Sequence, residues 1–475
     1  MQASNVKNKC FAIWSNEVEG RFDPHFYKPD FLLLEKMLKK INYAILGEVV
    51  DFSNEVWNGK DFFTDKFPYI EISEIDIHTG EIKNITYYEK SEAPSRAKMI
   101  VRNNDIIVST TRPHRGAIAF IDNSRDGFIA STGFAVLRDL KNKEVNKNYL
   151  FYILRTSFIL DQMLQRSSGG NYPAITAEEL QKIIIPLPPL ATQNEIVEIM
   201  KLAYRKKASK EQKAESILSS IDDYTLGELD IKIANLKNKN CFCVSSKDVA
   251  GKRLDPKGYL GIPQIIIKAI KKSKYNTKML SELLDSSIAG EWGEDNTLEN
   301  NEGYSLIKVL RNTNFDNQSN LNFDDVAERF IENKKLEKVE LKNGDILIEK
   351  SGGSPIQPVG RVALIENLKD RFTFSNFLQC FRVKKECLPE YLFCFLKALY
   401  GLNYMEYLQN QTTGIKNLIM EEYLSIPVPL PSIDIQKKLA DEFRNRLENA
   451  NKLKAEAIEE VEKAKIFVEN LVKKG

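Results

Sequence analysis

The chain has 475 residues, 43% hydrophobic and 28% charged, with a formal net charge of +2. That length is too great for one core and calls for two or more domains, while the composition is that of an ordinary globular protein. A charge so near zero argues against a nonspecific nucleic-acid binder but leaves room for local basic patches.

No apolar run approaches the ~20 residues that span a bilayer. Residues 1–10 lack the basic-then-apolar layout of a secretion signal, so a cytoplasmic location without membrane attachment is expected. The six cysteines (Cys10, Cys241, Cys243, Cys380, Cys387, Cys394) show no C-x-x-C spacing and read as reduced thiols. The three histidines, His25, His78 and His114, are scattered, so no metal site is expected.

Taken in order, the chain says nearly everything twice. Asn5-Val6-Lys7-Asn8-Lys9 returns as Asn235-Leu236-Lys237-Asn238-Lys239, and Cys10-Phe11 as Cys241-Phe242. Arg21-Phe22-Asp23-Pro24 returns as Arg253-Leu254-Asp255-Pro256. An amphipathic helix is predicted after each, over residues 31–41 and 264–272. Two tryptophan loops follow, centred on Trp57 and Trp292, which read as core anchors beside ordinary turn residues. Strands are predicted over residues 67–75 and 304–310. Asn103-Asn104-Asp105 and Lys342-Asn343-Gly344-Asp345 then feed buried strands from Ile106 and Ile346.

Beyond those strands the halves keep their type and change their wording. Ser109-Thr110-Thr111-Arg112-Pro113-His114-Arg115-Gly116 stands against Glu349-Lys350-Ser351-Gly352-Gly353-Ser354-Pro355. Strands are predicted over 117–121 and 362–365, then over 131–138 and 375–382. Helices open at Tyr149-Leu150-Phe151 and Tyr391-Leu392-Phe393. They lead to a second polar loop, Arg166-Ser167-Ser168-Gly169-Gly170-Asn171-Tyr172 in one half and Gln411-Thr412-Thr413-Gly414-Ile415-Lys416-Asn417 in the other.

Each half closes on a proline-punctuated apolar run, Ile185-Pro186-Leu187-Pro188 and Ile426-Pro427-Val428-Pro429, which reads as extended backbone. A long helix follows each. In the first, Ile196, Met200, Ala203, Lys207, Lys210, Ala214, Ile217, Ile221 and Tyr224 alternate at spacings of four and three. In the second, Ala440, Phe443, Leu447, Ala450, Lys454, Ala457, Val461, Ala464, Val468 and Leu471 keep that rhythm. This is the seam of a coiled coil, with lysines as possible register markers. Matched positions lie 230 residues apart at Asn5/Asn235 and 241 at Pro186/Pro427, a drift that fits short loop insertions.

The expected fold is therefore α+β: two mixed α/β domains in tandem, each followed by a long helix. The helices are expected to pair as an antiparallel coiled coil with pseudo-two-fold symmetry. The boundaries read 1–190 for the first domain, 191–234 for the central spacer helix, 235–432 for the second domain and 433–475 for the C-terminal spacer helix. About 30 seam residues at ~1.5 Å each give a spacer of roughly 45 Å, somewhat over one turn of B-DNA. No phosphate-binding loop, nucleophile elbow, H-E-x-x-H or kinase set occurs, so no catalytic residue is assigned.

The order of these motifs, twice over, resembles the specificity subunit of type I restriction-modification systems, across essentially the full chain. The motifs that carry the resemblance are R-[FL]-D-P, N-x-x-D-I-[IL], I-P-x-P and the Gln193 or Gln436 that follows. The second half departs by one extra residue between its proline run and Gln436. The resemblance implies a target recognition domain in each half, together reading a bipartite asymmetric sequence in double-stranded DNA. It implies two methyltransferase (modification) subunits docked on the spacer, with restriction subunits joined through them. S-adenosylmethionine, ATP and Mg2+ would be bound by those partners, with no cofactor in this chain.

Side chains able to read base edges or hold phosphates are expected on the polar loops that diverge between halves. These are Arg112, His114, Arg115, Arg166, Ser168 and Asn171 in the first domain. In the second they are Lys350, Ser351, Ser354, Gln411, Thr412 and Lys416. Two other readings fit the same sequence: a two-headed coiled-coil protein-interaction scaffold, and a specificity subunit serving a single methyltransferase-nuclease polypeptide. Divergence of the loops favours two different DNA half-sites, since two copies of one protein-binding head would keep their loops alike.

Overall fold

A computed structural model describes residues 11–13, 18, 20–59, 63–233, 243, 245–246, 261–295, 302–316, 318–352, 357–412 and 414–474. The N-terminal repeat motifs at residues 5–10 and 235–242, and Arg253-Leu254-Asp255-Pro256, lie outside these. The chain divides into two compact units, one of Met1–Glu211 with Leu453–Gly475 and one of Gln212–Lys452.

In the first unit, strands Val50–Ser53, Phe134–Leu140, Ile106–Ser109 and Ile118–Phe120 lie in that spatial order in an antiparallel sheet. A second sheet orders Thr86–Glu89, Lys66–Ile70, Ile129–Ser131 and Ala97–Ile100, its middle two strands parallel. Helix Lys147–Ile153, capped by the Asn146 side chain, and helix Ser157–Arg166 cover the first sheet's core. Ile106, Val108 and Leu137 are fully buried there, as period-two β-branched and aliphatic runs require.

The second unit repeats the first sheet strand for strand: Leu284–Ala289, Leu378–Val383, Ile346–Glu349, Val362–Leu364. Its second sheet orders Ala327–Glu332, Tyr304–Leu310 and Phe372–Phe374, the last pair parallel. The strand predicted over 131–138 is two strands, and the one predicted over 375–382 starts only at Leu378, after a separate strand that ends at Phe374. The chain leaves one sheet at Ser131 or Phe374 and joins the other at Phe134 or Leu378. The strands on both sides of the switch are buried on both faces, so no alternation marks the break and periodicity alone hides it. The strand predicted over 67–75 likewise ends at Ile70 and turns into a short 3-10 helix, Ile72–Glu74.

The duplication is legible at the level of single buried bonds. Gln193 is fully buried; its Nε2 donates to the Glu144 and Pro188 carbonyls at 2.8 Å, and its Oε1 accepts from the Asn146 amide at 2.8 Å. Gln436, equally buried, donates to Glu386 at 3.0 Å and Pro431 at 2.9 Å and accepts from the Leu388 amide at 2.8 Å. Buried Asp105 takes the Arg138 Nε at 3.1 Å, and buried Asp345 takes the Arg382 Nε at 2.9 Å. Tyr149 donates to the Pro186 carbonyl at 2.7 Å and Tyr391 to that of Pro429 at 2.5 Å.

These bonds correct the sequence match. Pro186 sits opposite Tyr43 as Pro429 sits opposite Thr277, so Pro186 corresponds to Pro429 and not to Pro427. Both that pair and Gln193/Gln436 are then 243 apart (429 minus 186, 436 minus 193), and the extra residue before Gln436 disappears.

The central helix is Leu190–Glu228 and the C-terminal helix Ile433–Lys474. In the first unit, Ile196, Met200 and Ala203 share a core with Val461, Ala464, Val468 and Val472, with Leu471 packed at its edge. Lys206 meets Glu460, and Lys210 meets Glu460 and Glu456, so these segments run antiparallel. In the second unit, Ile221 and Phe443 are buried and Leu447 packs against the same core, while Ile217 is half-buried. Lys438 approaches Glu228 and Arg446 approaches Ser220, again antiparallel. Among the described residues, no helix is long and apolar enough to cross a membrane.

Candidate nucleic-acid interface

In the first unit two loops meet beyond the end of strand Ile106–Ser109. The first turns sharply at Arg112, whose φ of 48° is the left-handed region, then through a 3-10 turn over Pro113–Arg115 and Gly116 at φ 78°. The second leaves helix Ser157–Arg166 and folds back through Gly169 at φ 98°, where an added Cβ would crowd the Tyr172 carbonyl at 3.1 Å. Ser168 and Ala174 exchange both backbone hydrogen bonds at 2.8 Å. The loops are tied together by the Arg112 amide on the Pro173 carbonyl at 2.7 Å and the Ile175 amide on that of Thr110 at 2.9 Å.

This brings Arg112, Arg115, Ser168 and Asn171 onto one polar surface. The Arg112 guanidinium lies 4.0 Å over the ring of Tyr172 and donates from Nη2 to the Asn171 carbonyl at 3.2 Å. Tyr172 itself is 70% exposed, an aromatic face held open by a cation. Sequence reasoning passed over this residue. A tyrosine beside a Gly-rich polar loop was the available signal, since base–aromatic stacking needs such a face. His114 sits beneath, half-buried, with its Nδ1 buried and without a partner among the described residues. Burial, then the neighbouring Arg115 and Arg112 charges, hold its imidazole below the ordinary range and favour the neutral ring.

Arg166 is elsewhere. Its side chain is only 9% exposed; Nη1 donates to Glu179 at 3.2 Å, beside Arg21, which reaches the same carboxylate at 3.3 Å and the Arg166 carbonyl at 3.2 Å. Arg21 of the R-F-D-P opening thus locks the base of the second loop.

The second unit builds its loops differently. Ser351–Gly352 joins a hairpin of Gln409–Thr412 and Ile415–Leu418 in a three-stranded sheet, where the first unit has only isolated bridges of Ala174 to Thr111 and Ser168 among its described residues. Gln411 is exposed on this hairpin, opposite Lys416. Lys416 is 9% exposed and donates to the Gln357 carbonyl at 3.0 Å, and buried Ser351 donates from Oγ to Asn417 at 2.7 Å. Both brace the loop. Half-buried Lys350 lies beside them, its ammonium held below the ordinary range by burial. The backbone of Thr412 belongs to the hairpin; Ser354 lies outside the described residues.

Among the described residues no group of three or more His, Cys, Asp or Glu is placed to hold a metal. Cys380, Cys387 and Cys394 are buried free thiols, and burial pushes Cys387 up to about 12. Trp57 is buried against Phe67 at 4.5 Å between ring centroids, while Trp292 is half-buried beneath the Arg329 guanidinium.

Residues 44–219 and 272–463 each match the family described as type I restriction modification DNA specificity domain. The specificity subunit of the type I restriction enzyme MjaVIII of Methanocaldococcus jannaschii is 24% identical over 396 residues, 80% of this chain and 80% of that subunit. That of HindI from Haemophilus influenzae is 28% identical over 145 residues, which span 30% of this chain and only 28% of that subunit. A solved chain from work on complex assembly and conformational transition of the type I R-M system superposes with a TM-score of 0.52. It covers 91% of this chain and 96% of that one at 22% identity, a likeness of fold.

Proposed function

The chain belongs to the type I restriction-modification DNA specificity family, and from that premise we propose that it reads a bipartite, asymmetric DNA target, one half-site per unit. The observation that carries this is a duplicated scaffold, matched down to buried Gln193/Gln436 and Asp105/Asp345, carrying polar loops that differ. Arg112, Arg115, Ser168 and Asn171 serve one half-site, with His114 beneath them. Lys350, Gln411, Thr412 and Ser354 serve the other, with Ser351 and Lys416 bracing that loop. Phosphate contacts set register and base-edge contacts set sequence.

The long helices act as the spacer, pairing antiparallel along their length with pseudo-two-fold symmetry. The antiparallel segments within each unit support this. Two modification subunits dock on the spacer and restriction subunits join through them. Methylation with S-adenosylmethionine and cleavage with ATP and Mg2+ belong to those partners; this chain acts in the cytoplasm as the non-catalytic reader.

The test is co-expression with the cognate modification subunit in a methylation-free host, followed by purification and mapping of methylated adenines on genomic DNA. A bipartite motif with a fixed gap is expected. A stable complex that leaves no motif, or no complex at all, would point to the scaffold reading instead.

A further inference from the structure

One position outside the two loops carries opposite charges in the two units, and its surroundings are built to receive a ligand. In the second unit the parallel strands Tyr304–Leu310 and Phe372–Phe374 end side by side, with Leu310 opposite Phe374. Past them Arg311 caps a 3-10 turn, Asn312–Asn314, and Ser375, Asn376 and Phe377 cross to the other sheet. Trp292, Arg311, Asn312, Ser375, Asn376 and Phe377 line a recess of about 330 Å3.

Ser375 is 2% exposed, and its Oγ has no hydrogen-bond partner among the described residues. Among the described residues the Arg311 Nε is also buried without a partner, and its Nη2 reaches Asp325, at 3.5 Å to the carbonyl and 3.7 Å to the carboxylate. Unpaired buried polar atoms are costly and call for an explanation. A backbone glycine, Gly290, is pressed beneath: a Cβ there would stand 2.1 Å from the Ser375 carbonyl. The recess is continuous with the candidate loop. The Lys350 and Ser351 amides both donate to the Phe377 carbonyl, at 2.9 and 3.0 Å.

The first unit has the same place. Ile70 lies opposite Ala130, Glu71 caps the 3-10 turn Ile72–Glu74, and Ser131 follows the partner strand. A recess of about 340 Å3 is lined by Tyr69, Glu71, Arg96 and Ser131 among others. It too is joined to its loop, through the Thr110 amide on the Gly133 carbonyl at 2.8 Å. Here the Ser131 hydroxyl is satisfied, accepting from the Gly133 amide at 3.2 Å and hydrogen-bonding the Tyr69 side chain. Strand register puts Val309 where Tyr69 stands, so Ser375 lacks that partner.

We propose that Glu71 and Arg311, at one topological position on the recess beside each loop, are specificity-determining residues that read opposite members of a G·C pair in the two half-sites. The reversal of sign carries the argument. A backbone anchor would be cationic in both units, because both half-sites present the same phosphates. An acid at the equivalent position repels phosphate and is suited to accept from cytosine N4, whereas arginine donates its planar fork to guanine O6 and N7. The unsatisfied Ser375 hydroxyl and Arg311 Nε then gain partners, from a base edge or a bridging water, only when the duplex is bound.

This rests on the DNA-reading function proposed above, and the test separates the two. The full chain, wild type or carrying Arg311→Ala or Arg311→Gln, is co-expressed with the cognate modification subunit, and methylated adenines are mapped. Wild type is expected to give a bipartite motif with a required guanine–cytosine pair in the half-site of the second unit. Arg311→Ala is expected to lower discrimination at that pair tenfold or more, and Arg311→Gln to relax it or shift it toward adenine. The other half-site and the gap should stay as they are.

Glu71→Gln should relax one pair in the opposite half-site and nothing else. An unchanged motif in both Arg311 variants overturns the inference. So does a uniform fall in methylation at all sites with the motif intact, which is the signature of a phosphate contact. Should Arg311→Ala yield no complex, Arg311→Gln, which keeps most of the side chain, is judged by the same criterion. A wild-type complex without any bipartite motif removes the DNA-reading function, and this inference with it.

Discussion

Lys350 illustrates how a side chain can be adverse to folding and useful to binding. Burial alone holds its ammonium below the ordinary lysine range, so the folded state disfavours the charge that DNA would welcome. Between the folded pKa and the unfolded value the unfolded chain binds more protons, so this group's contribution to stability rises with pH there. Below that window the penalty is fully present. Lys350→Met is therefore expected to stabilise the protein by up to about 1 kcal/mol at neutral pH, with the gain shrinking toward pH 10. Its DNA affinity should fall. Urea melts across pH, with duplex titrations alongside, check both; a destabilised Met variant would show that the ammonium is satisfied in the fold.

Gln193 is the opposite case, a polar group with every bond made. Gln193→Ala strands an amide and two carbonyls, and a loss of about 2–4 kcal/mol is expected in chemical unfolding. A loss under ~0.5 kcal/mol would mean that water replaces the amide. Residue types were readable in the sequence, as the choice of Gln193 and Gln436 shows, but commitments were not. Nothing in Arg166-Ser167-Ser168 says that the arginine belongs to Glu179, 13 residues on, whereas Arg115 stays exposed.

At the scale of elements, the helical rhythm located both long helices, because a three-and-four seam has no other stable reading. It could not say how the seam tolerates a lysine. Lys207 is 7% exposed inside it and reaches Glu211, four residues on, at 2.6 Å. An ion pair so placed is weak evidence of stability, since desolvation offsets the attraction, and Glu211 is well solvated. Lys207→Leu is expected to stabilise the first unit by about 1 kcal/mol or more. Thermal unfolding of the wild-type and Lys207→Leu chains decides it, and a lower midpoint for Leu would assign the lysine a packing role.

The sheet switches at residues 131–134 and 374–378 were missed for a related reason. Burial on both faces erases the alternation that marks a strand's end. The second unit's hairpin, Gln409–Thr412 with Ile415–Leu418, was hidden by its polar composition, which reads equally as loop.

At the scale of the molecule, the chain's two ends belong to one unit. Residues Leu453–Gly475 pack with Met1–Glu211, so the first unit is discontinuous in sequence and completed last. Val461, Val468 and Val472 are nearly fully buried against Ile196 and Met200, themselves 0% and 3% exposed. Removing them uncovers that face and forfeits ~1.5–3 kcal/mol for each large apolar side chain, a sum comparable to the whole stability of a domain. Truncation after Lys452 is therefore expected to unfold or loosen the first unit while leaving the second, which loses no residue, intact. Hydrogen exchange on the truncated chain, compared with the full-length chain, should show amides of Phe134–Leu140 exchanging at least tenfold faster, with those of Leu378–Val383 unchanged. Equal protection in both strands would mean that the N-terminal segment folds without its C-terminal helix. Faster exchange in both would mean that the units are not independent in stability. If the first outcome holds, a restriction-modification reader truncated there should lose one half-site before the other.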